Sequence, residues 1–195
     1  MAVYVSLNPE CLKMLLEPVL AYLATGVWPD AWVIHYLGTR KSSNDRQVIA
    51  SKITNRPFVI DYPSVIGHDD GVAEQMPLFE TSTVFIMLYA YQKYTGDTSF
   101  TAKYASLLAG YAGYLNENSL YPASQSISVD SIPAQANQTD LAIQSAIGLK
   151  AASLVLGDST YSDTADTIAK TVYNDAIGLD GPTLAESTHL LLWPE

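Results

Sequence analysis

The densest group of residues able to do chemistry lies between positions 66 and 80. Ile66-Gly67-His68-Asp69-Asp70-Gly71 is followed by Glu74-Gln75-Met76-Pro77, and Glu80 comes three residues after that proline. Carboxylates this close together can activate a water or hold a cationic ammonium group, and a histidine beside them can move a proton near neutral pH. The same residues also suit plainer work. Asp and Gly favour turns, and Glu80 just behind Pro77 complements the positive end of a helix. Hard oxygen ligands suit calcium, but the spacing of Asp69, Asp70 and Glu74 matches no defined calcium loop, and nothing in the pattern calls for a metal or a cofactor. Elsewhere, His35 follows Trp28, Trp32 and Val33, a context that fits a general base and fits a core histidine bonded to a carbonyl better. Asp130 stands in a loop and is a further candidate, while His189 reads as structural. The 13 tyrosines suggest a carbohydrate platform at first sight. Most of them, including Tyr89, Tyr104, Tyr111 and Tyr173, fall at helical spacing and read as core residues with a polar tip. Asn137-Gln138-Thr139 is an N-glycosylation acceptor whose bland counterpart is an ordinary helix cap.

Helices must position these residues, because a period of 3.6 dominates the chain. Leu12, Leu15, Leu16, Val19, Leu20 and Leu23 make one face of a first helix. Asn8 is its predicted cap, Pro9 its first residue and Gly26 its stop, and Pro18 predicts a kink. Residues 28–76 carry Gly, Pro, Asn, Asp and Ser with no sustained period and predict a long ordered loop, which in a small domain tends to be functional. A second helix runs from Pro77 to Gly96. Its stretch 84–91 is apolar all round, which predicts burial on most sides. Asp97 should cap a third helix with Phe100, Tyr104, Leu107, Leu108, Tyr111 and Leu115 on one face, and residues 116–137 make another loop. A fourth helix spans about 139–156 with Ile143, Ile147 and Leu154 inward and Gly157 at its end. A fifth, capped by Asp158 or Ser159, places Tyr161, Ala165, Ile168, Ala169, Val172 and Ala176 on one face and stops at Gly178.

Two joints repeat. Thr95-Gly96-Asp97 and Leu156-Gly157-Asp158 each link an apolar helix to an amphipathic one. So short a link forces the second helix back along the first as a hairpin. One buried and one half-exposed helix per repeat predicts an inner and an outer layer within a single all-α domain over residues 1–195.

Composition narrows the function classes. Apolar residues make up 48% of the 195, enough for a sizeable core, and the formal net charge is -10. Nucleic acid and anionic membrane surfaces need basic patches and are not expected as partners. The longest wholly apolar stretch, 84–91, is far short of the roughly 18 residues of a membrane span. The single cysteine, Cys11, excludes an intrachain disulfide and reads as a small buried apolar residue. Residues 1–7 lack the basic start and long apolar run of a signal peptide, and both ends read as cuts through a larger protein.

From Leu7 to Trp193 the order of segments is similar to the central region of fungal glutaminase A proteins. The residues that carry the resemblance are Leu7-Asn8-Pro9-Glu10 with Leu16-Glu17-Pro18-Val19-Leu20, His35-Tyr36-Leu37-Gly38, and the 66–71 and 74–77 blocks. Tyr94-Thr95-Gly96-Asp97, the 137–143 segment Asn-Gln-Thr-Asp-Leu-Ala-Ile, and Thr188-His189-Leu190-Leu191 complete it. The resemblance implies an (α/α)6 toroid of six hairpins, secretion, and hydrolysis of glutamine to glutamate and ammonia, with glutamine as the small-molecule substrate. The family's N-terminal β-rich region and later hairpins have no counterpart in this chain. Amide hydrolysis needs an activated nucleophile and a proton donor for the leaving amine, and Asp69, Asp70, Glu74, Glu80, His35, His68 and Asp130 are the candidates. The chain departs from the family pattern at Phe79, where a carboxylate is usual, and at Ser82-Thr83, where the family has Gly-Asn. Those departures imply weak or absent catalysis and leave open a non-catalytic secreted protein that binds a cell surface or glycan. Truncation of a toroid also predicts exposed apolar flanks, and favours a homodimer over the competing outcome, the 28–76 loop folding across the open side.

Overall fold

The computed structural model describes residues 8–34, 76–125 and 134–175. Among them the fold is helical throughout: α1 (Glu10–Leu23), α2 (Pro77–Thr95), α3 (Ser99–Ala102), α4 (Ala105–Asn118), α5 (Thr139–Leu156) and α6 (Ser159–Asp175). One apolar cluster runs through α1, α2, α4, α5 and α6. Residues 35–75 of the expected loop, and Ala176 and Gly178 at the end of the last helix, lie outside the described residues.

α1 buries Leu12, Leu16, Leu20 and Leu23, together with Tyr22. Leu15, expected on the same face, is 63% exposed, and Met14 beside it is 73% exposed. The buried stripe is narrower than the apolar one because α1 is a border helix that packs chiefly on α2. Cys11 is exposed as well, contrary to its reading as a core residue. Pro9 is the N-cap, and Asn8 contributes its carbonyl, not its side chain, accepting from the Cys11 N–H at 3.2 Å. The helix runs through Pro18 to Leu23, and Gly26 follows with a φ of 73°.

α2 begins at Pro77 and stops at Gly96, as its sequence predicts. Val84, Phe85, Leu88 and Tyr91 are buried, and Ile86, Met87, Tyr89 and Ala90 pack half-buried against the same core. The two hairpin joints share a backbone plan. Gly96 and Gly157 are left-handed, with φ of 71° and 73°, a conformation that costs glycine little. Each donates its N–H to the carbonyl four residues back, Gln92 and Ser153, at 2.8 Å. Oδ1 of the following aspartate then accepts the N–H two residues on: Ser99 to Asp97 at 2.8 Å, and Thr160 to Asp158 at 2.9 Å.

The third predicted helix is two. A break at Lys103–Tyr104 separates α3 from α4, and Phe100 and Tyr104 are both buried in the core. Tyr91, Phe100 and Tyr104 stack edge to face in sequence, with centroids 5.6 and 5.7 Å apart, the arrangement that aromatic quadrupoles favour. The Thr101 hydroxyl bonds the Thr98 carbonyl at 2.9 Å and receives the Gln92 amide, tying the short helix to α2. Leu108, Tyr111 and Leu115 are buried along α4, with Leu107 half-buried. α4 runs on to Asn118, past the predicted start of the following loop.

α5 has the predicted bounds and a different inward face. Ile147 is 50% exposed, Leu154 61% exposed, and Ile143 only half-buried. The buried face is made of Leu141, Ala142, Ser145, Ala146, Gly148, Leu149, Ala151 and Ala152. α5 is flanked by α2 on one side and α6 on the other. Small residues between Leu141 and Leu149 allow that double contact, and Ile147 and Leu154 are left on the free surface. By length and composition α5 also passes for a membrane span, but it packs as the core helix of this fold. On α6, Ala165, Ile168 and Val172 are buried and Tyr161 is half-buried, while Ala169 faces out. Of the tyrosines read as core, Tyr104 and Tyr111 are buried, Tyr89 is partly so, and Tyr173 is largely exposed.

Candidate functional site

The starts of α2 and α5 lie together, and several loops meet there. The first N–H groups of a helix have no partner inside it. At α2 one of them is met from far along the chain: the Leu78 N–H donates to Gln125 Oε1 at 3.0 Å, within the interior. Gln125 also pairs its backbone with Gln135, at 3.3 and 3.4 Å, in an isolated antiparallel bridge. The Gln138 amide then donates to the carbonyls of Gln125 and Gln135, at 2.6 and 2.9 Å, just before α5 begins. The Asn137 N–H closes the same turn on the Pro122 carbonyl at 2.7 Å.

A second set of bonds joins the first two turns of α2 to its neighbours. The buried Val33 N–H donates to Thr81 Oγ1 at 3.0 Å, which seats the end of the 28–34 segment on α2. Within that segment the Trp28 indole donates to the Trp32 carbonyl at 2.8 Å, and the Trp32 ring meets Tyr114 at 5.1 Å. Burial, aided by the Asp30 charge, pushes the Tyr114 phenol above its ordinary range. From α5 the Gln144 amide reaches the Phe79 carbonyl at 3.3 Å and Thr83 Oγ1 at 3.1 Å, while the Thr83 hydroxyl donates to the Phe79 carbonyl at 2.8 Å. One turn further along α5, Gly148 lies so near α2 that an added Cβ would stand 2.7 Å from Ser82. The Ser82 and Ser145 hydroxyls are buried on these two helices, without a hydrogen-bond partner among the described residues.

Of the candidate catalytic residues, Glu80 is placed here. It lies half-buried in the first turn of α2, with its N–H on the Met76 carbonyl at 2.9 Å. Asp140 likewise stands in the first turn of α5. Two acidic residues at two helix starts complement the positive ends of both dipoles. His35, His68, Asp69, Asp70, Glu74 and Asp130, like His189, lie outside the described residues. Their neighbours do not: Ile34 and Met76 border the 35–75 stretch, and Gln125 borders the one that holds Asp130. Both ends of the longer stretch and the entry to the shorter one are buried against the start of α2. Among the described residues, no group of three or more His, Cys, Asp or Glu side chains stands close enough to hold a metal ion. The glutamines at 125, 138 and 144 were not foreseen, since isolated Gln residues carry no local pattern.

The chain matches the Glutaminase A six helical-hairpin domain over residues 1–48 and 59–192. It belongs to that family. A curated relative, Glutaminase A of Aspergillus oryzae (strain ATCC 42149 / RIB 40), is 29% identical over 163 residues, which cover 84% of this chain and 21% of the relative. The chain thus spans about a fifth of the length of that protein. No solved structure matches it. The family's name describes the architecture found here, since α2 with α3–α4 and α5 with α6 are two successive hairpins of one plan. The glutaminase A match also spans the 66–71 and 74–77 blocks that lead into α2.

Proposed function

We propose that the chain is a helical-hairpin portion of a secreted, fungal-type glutaminase A protein, an amidohydrolase that converts glutamine to glutamate and ammonia. Membership of the glutaminase A family is the observation that carries this reading. The convergence of chain at the start of α2 supports a site there, because Ile34, Met76 and Gln125, the described residues from which the segments bearing His35, His68, Asp69, Asp70, Glu74 and Asp130 run on in the sequence, are buried there. In such a site a carboxylate activates the attacking water or holds the substrate's α-ammonium group, and an acid protonates the departing amine.

Taken alone, the chain turns glutamine over weakly or not at all. Phe79 occupies a place where the family resemblance expects a carboxylate. Thr83, in place of the expected Asn, commits its hydroxyl to the Phe79 carbonyl and to Gln144. These two residues favour the second reading, a non-catalytic protein that binds a cell surface or glycan on the same scaffold. Ammonia release from L-glutamine by the purified chain separates the two. The expected rate is far below the enzyme median of about 10 per second. A rate near that median, lost in Glu80→Gln, would establish a competent active site and overturn the inert assignment.

A further inference from the structure

We infer that Asn137 is an N-glycan acceptor and that its glycan stands at the end of the molecule where α2 and α5 begin. Asn137-Gln138-Thr139 is the one Asn-X-Ser/Thr triplet of the sequence in which X is not proline. The ordinary explanation for such a triplet is a helix cap, and the geometry removes it. The N-cap of α5 is Gln138, whose side chain makes no capping hydrogen bond. The Gln138 amide is turned back to the carbonyls of Gln125 and Gln135. Among the described residues, neither the Asn137 nor the Thr139 side chain makes a hydrogen bond. Asn137 is exposed and left-handed, with a φ of 56°, and its backbone is held by the Pro122 carbonyl. The acceptor amide therefore sits on a fixed turn with no structural duty. Asparagine tolerates the left-handed region better than most residues, which accounts for Asn137 alone and not for the threonine two places on.

The step is a group transfer. Asn137 Nδ2 attacks the anomeric carbon of a lipid pyrophosphate-linked oligosaccharide and a C–N bond forms. The anomeric C–O bond breaks, the lipid pyrophosphate leaves with the electron pair, and Nδ2 gives up one proton. The inference rests on the secretory part of the proposed function, so the test supplies translocation independently. The full chain, behind a cleavable secretory leader, is translated with rough microsomes, and only protease-protected product is scored. The wild-type chain is expected to run as a slower band that endoglycosidase returns to the unmodified position. Asn137→Gly, which accepts a positive φ without strain, and Thr139→Ala are expected to lose the slower band, and Thr139→Ser to keep it. A protected wild-type chain with no slower band, or a slower band that survives in Asn137→Gly, overturns the inference whatever the natural destination of the protein.

Discussion

Asp97 shows how one side chain in a hairpin joint gathers its surroundings. Its Oδ1 accepts the Ser99 hydroxyl at 2.5 Å and the Ser99 N–H at 2.8 Å, and its Oδ2 accepts the Tyr91 phenol at 2.7 Å. Lys13 of α1 stands 3.8 Å from the same carboxylate and lies over the Tyr91 and Phe100 rings, at 5.9 and 5.5 Å. The Ser99 hydroxyl first, then the Tyr91 phenol and the Ser99 N–H, hold the Asp97 carboxyl down at about 2. Burial, and then the Asp97 hydrogen bond, push the Tyr91 phenol up to about 12. For a carboxylate held below its ordinary 3.8, the stabilisation is complete above that pH and is lost as the pH falls through about 2. The wild-type urea midpoint is therefore expected to exceed that of Asp97→Asn at pH 6, and the gap to close between pH 4 and pH 2. A gap that stays constant over that interval would rule out the carboxylate charge as its source. Asp97 was legible as a cap from its place after Gly96. Its bonds to Tyr91 and Lys13 were not, because they depend on how the turn at Gly96 swings Asp97 back beside α2 and on α1 arriving alongside.

At the scale of the element, the glycines separate two kinds of helix. In α5, a Cβ on Gly148 would lie 2.7 Å from both Cα and Cβ of Ser82 and 2.9 Å from its Oγ. One of those atoms is backbone, so trimming Ser82 to Gly leaves a 2.7 Å contact and α2 must move. Overpacking of this kind costs about 1–3 kcal/mol, against a gain of about 1 kcal/mol in helix propensity on replacing Gly by Ala. Gly148→Ala is expected to lower the urea midpoint, and adding Ser82→Gly to restore it only in part. In α4, a Cβ on Gly110 or Gly113 meets nothing within 4 Å. Either change to Ala there is expected to stabilise by about 0.5–1 kcal/mol. Equal effects at positions 110 and 148 would show that α2 and α5 are not held so close. The sequence gives no sign of this difference, since all three glycines sit inside helical patterns. What distinguishes Gly148 is a helix that precedes it by some 60 residues.

At the scale of the whole molecule, exposed apolar side chains among the described residues include groups on α1 and on α5. Cys11, Met14 and Leu15 lie along the outer side of α1, and Ile147 and Leu154 along the free side of α5. Soluble monomers seldom carry large contiguous apolar patches, and the simplest way to cover one is a two-fold pairing of identical surfaces. The net charge of -10 opposes association, but at physiological salt charges beyond about 8 Å are largely screened. A homodimer is expected for the purified chain, and Met14→Glu should weaken it. Light scattering at micromolar concentration checks this, and a mass near 21.2 kDa for the wild-type chain would reject the dimer.

The sequence by itself determined the all-α class, the start of α2 at Pro77 and the stops at Gly96 and Gly157. It also determined the aspartate that follows each stop and the burial of α2 on most sides. These are local properties: a missing N–H, a tolerated positive φ, a short side chain within reach of a free N–H, and a run of apolar residues with no polar face. Family membership was legible too, in the order and spacing of short motifs. Only the tertiary structure decided which face of α5 turns inward. Ile147 and Leu154 are as apolar as the buried Leu141 and Leu149, but two flanking helices select an inward face on which those leucines alternate with Ala, Ser and Gly. It decided the break between α3 and α4, which no glycine or proline marks in the sequence. It also decided the bonds that Gln125, Gln138 and Gln144 make around the starts of α2 and α5. An amide side chain has no periodicity of its own, and its partners are fixed only when segments far apart in the chain have packed.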